Sequence, residues 1–189
     1  MYRFAMGLVA ASLLALSPNA SAFSVDSNLF YLSDSLSETS NTTSSRIFGD
    51  IAVFIDLTKK GRWIVGWGYN YFSITESGTT ESTFNLTEMG PKFGYYISKD
   101  KVWSIIVGYC FQSTADYSSG STEAEWRGTS LKGELGFMPK FGESFHAGLK
   151  LNYYQATFSE QFTNSTDFDT ISNSRALIYP TISFSYMIN

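Results

Sequence analysis

Along most of the chain, apolar residues alternate with polar or small ones at a period of two. Ile47, Gly49, Ile51, Val53, Ile55 and Leu57 share one parity, and Arg46, Phe48, Asp50, Ala52, Phe54 and Asp56 the other. Trp63, Val65, Trp67, Tyr69 and Tyr71 stand against Ile64, Gly66, Gly68, Asn70 and Phe72, and Trp103, Ile105, Val107, Tyr109 and Phe111 against Ser104, Ile106, Gly108, Cys110 and Gln112. The same holds for Phe145 to Tyr154 and for Leu177 to Tyr186. Successive side chains point to opposite faces of a strand, so each run reads as a strand with one apolar face and one mixed face. The pattern predicts strands over 25–35, 46–58, 62–75, 83–97, 101–113, 126–138, 144–158 and 175–188. Consecutive strands separated by turn-forming breaks predict an antiparallel up-and-down meander.

A soluble sandwich alternates in the same way, so parity alone leaves two architectures. Two features separate them. Asp50, Glu88, Lys92, Lys132, Glu134 and Lys150 all lie on the mixed face, together with Gly66, Gly68, Gly90, Gly94, Gly108, Gly128, Gly136 and Gly148. Glycine weakens a strand that merely faces water, whereas an eight-stranded barrel leaves only enough interior for side chains to fill. The apolar face carries Trp63, Trp67, Trp103, Tyr71, Tyr109, Tyr153, Phe184 and Tyr186, most of them towards strand ends, where a membrane barrel carries its aromatic girdles. The fold expected is therefore all-β, an eight-stranded antiparallel up-and-down transmembrane β-barrel. Its lumen should hold a polar network of Asp50, Glu88, Lys92, Lys132, Glu134, His146 and Lys150.

The breaks orient it. Thr58 to Arg62, Ser98 to Lys101 and Pro139 to Glu143 are short and mostly basic; Leu36 to Ser45, Glu76 to Ser82, Thr114 to Glu125 and Ser159 to Ser174 are longer and rich in Ser, Thr and Asn. Outer-membrane barrels have short periplasmic turns and longer external loops, which places both termini in the periplasm. Residues 1–22 fit the start of an exported chain: Arg3, an uncharged run from Phe4 to Leu16, then Ala20-Ser21-Ala22. That run is too short to span a bilayer as a helix, so residues 1–22 are expected to be cleaved, leaving 23–189 as one barrel domain.

Composition removes other classes. With Arg3 set aside, twelve Lys and Arg face seventeen Asp and Glu, and no basic cluster offers a nucleic-acid surface. Cys110 is the only cysteine, so no intrachain disulfide can form on an oxidising route. No catalytic, cofactor or metal residues are assigned. His146 has no second histidine or cysteine at ligand spacing; Ser144, two residues earlier on the same face, is its one candidate nucleophile, and a lipid-modifying enzyme the reading that pair would serve. Glu160, Asp167 and Asp169 lack the glycine turn of an EF-hand and read as a solvated acidic loop. Asn41, Asn85 and Asn164 begin glycosylation sequons of a kind that arise readily in Ser/Thr-rich chains.

Glu88-Met89-Gly90-Pro91-Lys92-Phe93-Gly94-Tyr95-Tyr96 resembles the Gly-Pro-x-x-Gly-Tyr-Tyr runs of the small outer-membrane β-barrel superfamily, the OmpA-, OmpX- and OmpW-like domains. The resemblance covers residues 23–189 and implies insertion by the barrel-assembly machinery, which reads an alternating aromatic last strand such as Phe184 and Tyr186; here the chain ends Met187-Ile188-Asn189. Pro91 and Pro180 fall inside strands, where each removes a ladder donor, and a bulge or register shift is expected at each. In the first strand Leu29 and Tyr31 face lipid with Asp26, Asn28 and Asp34 inward, while Phe30 and Leu32 leave the opposite phase open. The expected role is non-enzymatic, a monomeric barrel among outer-membrane lipids including lipopolysaccharide, presenting four polar loops. The alternative is a narrow pore or a transport barrel for small solutes or apolar ligands.

Overall fold

The computed structural model describes residues 23–36, 42–58, 61–78, 80–163 and 167–188. The proposed leader 1–22, Asn41 and Asn164 lie outside them. All eight regular elements are strands: β1 (Phe23–Leu36), β2 (Thr42–Asp56), β3 (Trp63–Ser77), β4 (Ser82–Tyr96), β5 (Trp103–Ser119), β6 (Thr122–Phe137), β7 (Phe145–Thr163) and β8 (Asp167–Ile188). Each pairs antiparallel with the next, and β1 pairs with β8, so the sheet closes into an up-and-down barrel. Stepping across paired residues from Ile188 through Phe23, Ile55, Val65, Phe93, Val107, Gly133 and Tyr153 returns to β8 at Ile178, ten residues from the start. That stagger tilts the strands about 35–45° from the barrel axis.

At the rim that holds Phe23 and Ile188, the strands end close to their expected limits. At the other rim β1, β3 and β4 also end within one or two residues of them, whereas β2 and β5 to β8 continue four to eight residues beyond. The break from Thr114 to Glu125 is almost entirely strand: Ser119 pairs with Thr122, leaving the two-residue turn Gly120-Ser121, with Gly120 at φ +60°. Glycine takes that positive φ without strain, as the first position of a II′ hairpin turn requires. β7 and β8 likewise run through most of 159–174. The expected long loops are thus mainly paired strands, a polar extension of the sheet. Thr is at home in a strand, and Ser or Asn can pair across it, as Ser73 does with Asn85 (2.7 Å) and Thr83 with Ser118 (3.1 Å). On β5 and β6 the alternation persists through Ala115, Tyr117, Ala124 and Trp126 on the inner face and is lost only beyond them, where both faces meet water.

The two prolines behave differently. At Pro91 the β4·β5 register shifts between Met89 and Lys92, so the missing N–H sits in a bulge. At Pro180 the expected bulge is absent: Pro180 pairs in regular register with Leu151 of β7. The β1·β8 ladder instead stops at Leu29↔Ile182, and continuing it would set Tyr31 against Pro180, which has no N–H to give. Closure therefore rests on Phe23 to Leu29, and β1 beyond Leu29 pairs with β2 alone. The phase of β1 is settled: Asp26 and Asn28 are buried, Leu29 and Tyr31 exposed, and Phe30 packs inward against Phe48 (5.4 Å between ring centroids). Leu32 and Asp34 are exposed as well, since the strand there has left the closed part of the ring.

Candidate functional site: the barrel interior

The interior is stacked in three layers along the axis. Nearest the short-turn rim, Ala52, Phe54, Ile64, Tyr96, Ile106 and Met187 form an apolar floor. At the opposite end Phe48, Phe72, Phe84, Leu86, Tyr154, Phe158 and Tyr179 form an aromatic plug, with Phe30, Tyr117 and Trp126 packed onto it. Phe48 lies edge-on to Phe72 at 4.7 Å and stacks on Tyr179 at 4.5 Å. Such pairs add roughly 0.5–1.5 kcal/mol each beyond their burial.

Between these layers lie three lysines and three carboxylates. Lys92 Nζ bridges Asp50 (2.5 Å) and Glu134 (2.7 Å); Lys132 reaches Asp50 (2.8 Å) and Glu134 (3.4 Å); Lys150 reaches Asp26 (3.1 Å) and Glu134 (3.1 Å). Asn28 Nδ2 donates to the other oxygen of Asp50 at 2.9 Å. All six ionised side chains are buried. Removing a charge from water costs several kcal/mol unless it is paired and hydrogen-bonded, and here three positive charges balance three negative ones. Glycines provide the room. Lys92 stands opposite Gly66 on one side and Gly108 on the other, and a Cβ on Gly68 would come within 2.5 Å of Lys92 Cε.

The lumen residues named from the sequence separate into three groups. Asp50, Lys92, Lys132, Glu134 and Lys150 meet in the ion cluster. Glu88 is buried apart from it, its carboxylate accepting from Asn70 Nδ2 (2.7 Å), Ser113 Oγ (2.8 Å), Ser130 Oγ (2.6 Å) and Tyr154 Oη (2.9 Å). His146 faces inward and is buried close to the turn rim, as its position in the strand predicts, its Nδ1 3.1 Å from the Met138 carbonyl oxygen and outside the ion cluster. Among the described residues no hydrogen bond joins it to Ser144. Asp26 is the member that sequence reasoning missed, because the parity of β1 left its direction open. Cys110 is buried beside the Gly90 backbone, without a second thiol. No three metal-capable side chains come together among the described residues.

Outside, the girdle residues stand at two heights. Trp63, Trp103, Phe184 and Tyr186 lie near the turn rim, joined by Tyr95, Phe137 and Phe145 through Trp63–Tyr95 (4.5 Å), Trp103–Phe137 (4.8 Å) and Phe145–Phe184 (6.1 Å). Tyr71, Tyr109 and Tyr153 stand higher, and Trp67 lies halfway between Trp63 and Tyr71 on β3, half-buried. Trp63 and Tyr71 are eight residues apart, roughly 26 Å along the strand or about 20 Å along a tilted barrel's axis. Between the two levels the outward residues include Ile51, Phe93, Ile105, Val107, Leu131, Leu135, Leu149, Leu151 and Ile182, and no charged side chain among the described residues.

No protein-family model and no curated protein matches the chain. Among solved structures it is similar to the translocator domain of the autotransporter NalP from Neisseria meningitidis, at 9% identity and a TM-score of 0.44. That match covers 95% of this chain and 66% of the other, just under two thirds of its length.

Proposed function

We propose that this chain is an integral outer-membrane protein without enzymatic activity, a sealed barrel that anchors a polar β-sheet crown at the cell surface for envelope structure or contact with the outside. One observation carries the reading: an outward band free of charge and bounded by aromatic residues at two heights, wrapped around a charged interior. In water that arrangement is inverted, since contiguous apolar surface of this extent drives association. In a bilayer it matches a lipid-facing band about 25 Å tall between aromatic girdles. The Gly90-Pro91-x-x-Gly94-Tyr95-Tyr96 segment supports placing it with the OmpA-, OmpX- and OmpW-like barrels. On this reading the barrel is a monomer that contacts lipopolysaccharide and is inserted by the barrel-assembly machinery, with residues 1–22 removed on export and both termini in the periplasm.

The narrow-pore reading finds less support. An ion entering from either rim meets the aromatic plug or the apolar floor before it reaches the lysines, and the lysines are already paired. Purified barrel in planar bilayers should give no stepwise current; regular conductance steps from the wild type would overturn the sealed-barrel reading.

Orientation is tested by cysteine labelling, because paired strands at the crown resist proteases. Cys110 is buried and gives little background. A membrane-impermeant maleimide should modify Ser121→Cys in intact cells, and Lys99→Cys only after the outer membrane is opened. The reverse pattern, or a soluble periplasmic protein, would reject the proposal.

A further inference from the structure

The crown encloses a cup whose chemistry the sealed barrel does not need. A cavity of about 430 Å³ opens above the aromatic plug, lined by Phe84, Tyr117, Trp126 and Phe158 on one side and by Ser172 to Arg175 of β8 on the other. Small-molecule sites occupy about 300–1,000 Å³ and combine apolar walls with a few placed polar groups. Phe84 and Phe158 are covered, whereas Tyr117 and Trp126 are half-exposed and stack on each other (4.9 Å, 16° between planes). The Trp126 indole N–H is committed to Gln161 Oε1 at 2.9 Å, which fixes the ring.

Arg175 supplies the polar function. Its guanidinium carbon lies 4.4 Å from the centre of the Phe84 ring, and among the described residues no carboxylate or other acceptor hydrogen-bonds to it. Burial weighs on it most, and Glu76 attracts it more than Arg46 repels it. Arg175 is the only charged residue among those lining the cavity. The outer face of the same strands contrasts with it: a groove of about 440 Å³ there carries Asp116, Glu123 and Glu125, and its one cation, Arg127, is held by Glu125 and lies over Phe162. An anion entering the cup meets no carboxylate among its lining residues and reaches the Arg175 guanidinium.

From this geometry we propose that the crown binds an anionic sugar, a pyranose bearing a carboxylate or phosphate. Its charged group pairs with Arg175, its ring packs against the Tyr117–Trp126 stack, and its hydroxyls meet the Asn173 side chain. A planar guanidinium presents two parallel N–H groups to a carboxylate or phosphate, and bonds of this kind are the strong ones. Such a sugar can come from a membrane glycolipid or from outside the cell, and the test separates these sources.

The folded barrel in detergent micelles is titrated by calorimetry with glucuronate, glucose 6-phosphate and glucose. Micelles need no membrane orientation, so the outcome does not depend on which rim faces outward. Both anions should bind saturably with quenching of Trp126, and neutral glucose should bind at least roughly tenfold more weakly. Arg175→Gln should weaken the anions by roughly tenfold or more while leaving glucose unchanged, and Arg175→Lys should restore part of the loss. Heat-modifiable mobility verifies that each variant is folded, and Asn173→Ala provides an independent variant of the same cup. In vesicles of phosphatidylcholine with or without lipopolysaccharide, loss of free glucuronate binding only where lipopolysaccharide is present assigns the site to the membrane glycolipid; retained binding assigns it to a soluble sugar. No binding of either anion at millimolar concentration, equal binding of glucose, or unchanged binding by Arg175→Gln would overturn the proposal.

Discussion

Glu134 touches all three buried lysines, so it is the residue on which the ion layer turns. Replacing it with alanine leaves three buried cations sharing two carboxylates. Breaking a buried pair from one side costs about 3–5 kcal/mol, because the remaining charge is uncompensated. Glu134→Ala should therefore lower the unfolding free energy of the folded, heat-modifiable form, measured by denaturant titration, by that amount. Lys99→Ala, on an exposed turn, should leave it within about 0.5 kcal/mol. A matched pair of glycines tests crowding in the lumen. A Cβ on Gly66 would fall 2.1 Å from the Val53 carbonyl oxygen, while one on Gly133 meets nothing within 4 Å. Gly66→Ala should sharply reduce the folded fraction and Gly133→Ala should not; equal effects would mean that the inward glycines are not spacers.

The strands differ most at their seam. Every other pair runs nearly its full length, but β1 and β8 share only Phe23 to Leu29 against Ile182 to Ile188. Backbone groups of β1 above Leu29 that point towards β8 have no partner there, which is an edge of the kind closed barrels otherwise abolish. Alternate amides between Phe30 and Leu36 should accordingly exchange with solvent much faster than those between Phe23 and Leu29. If Pro180 is what stops the ladder, Pro180→Ala should slow exchange at Tyr31 and Ser33; unchanged protection would assign the gap to divergence of the strands instead.

For the molecule as a unit, the decisive quantity is what surrounds the outer face. Leu149 lies midway up the apolar band and is exposed. An arginine at the midplane of a membrane barrel costs about 2–4 kcal/mol, whereas the same substitution on a water-facing surface stays within about 0.5 kcal/mol. Leu149→Arg measured by reversible folding into bilayers should show the larger loss, and a neutral result would contradict the membrane reading.

The alternation at Arg46 to Leu57 or Trp103 to Gln112 is a local property of an extended backbone, so the direction of nearly every side chain could be read from parity, as could the burial of Lys92 and Glu134. β1 resisted because Phe30 and Leu32 blur its parity, and the crown was misread because its Ser and Thr residues look like loop when both faces of a strand are wet. Parity says nothing about height. Which residues meet across the axis depends on the ten-residue stagger of the closed ring, and that stagger brings Lys92 to Glu134, lifts Glu88 into a separate site of neutral donors, and leaves His146 below both. The seal above and below the ions has the same origin: Phe48, Phe72 and Tyr179 share the inward parity of Asp50 and Lys150, and only closure stacks them into a separate layer. Sequence set which way each side chain faces because that is fixed within one strand; the tertiary structure decided the company each one keeps, because that is fixed between strands.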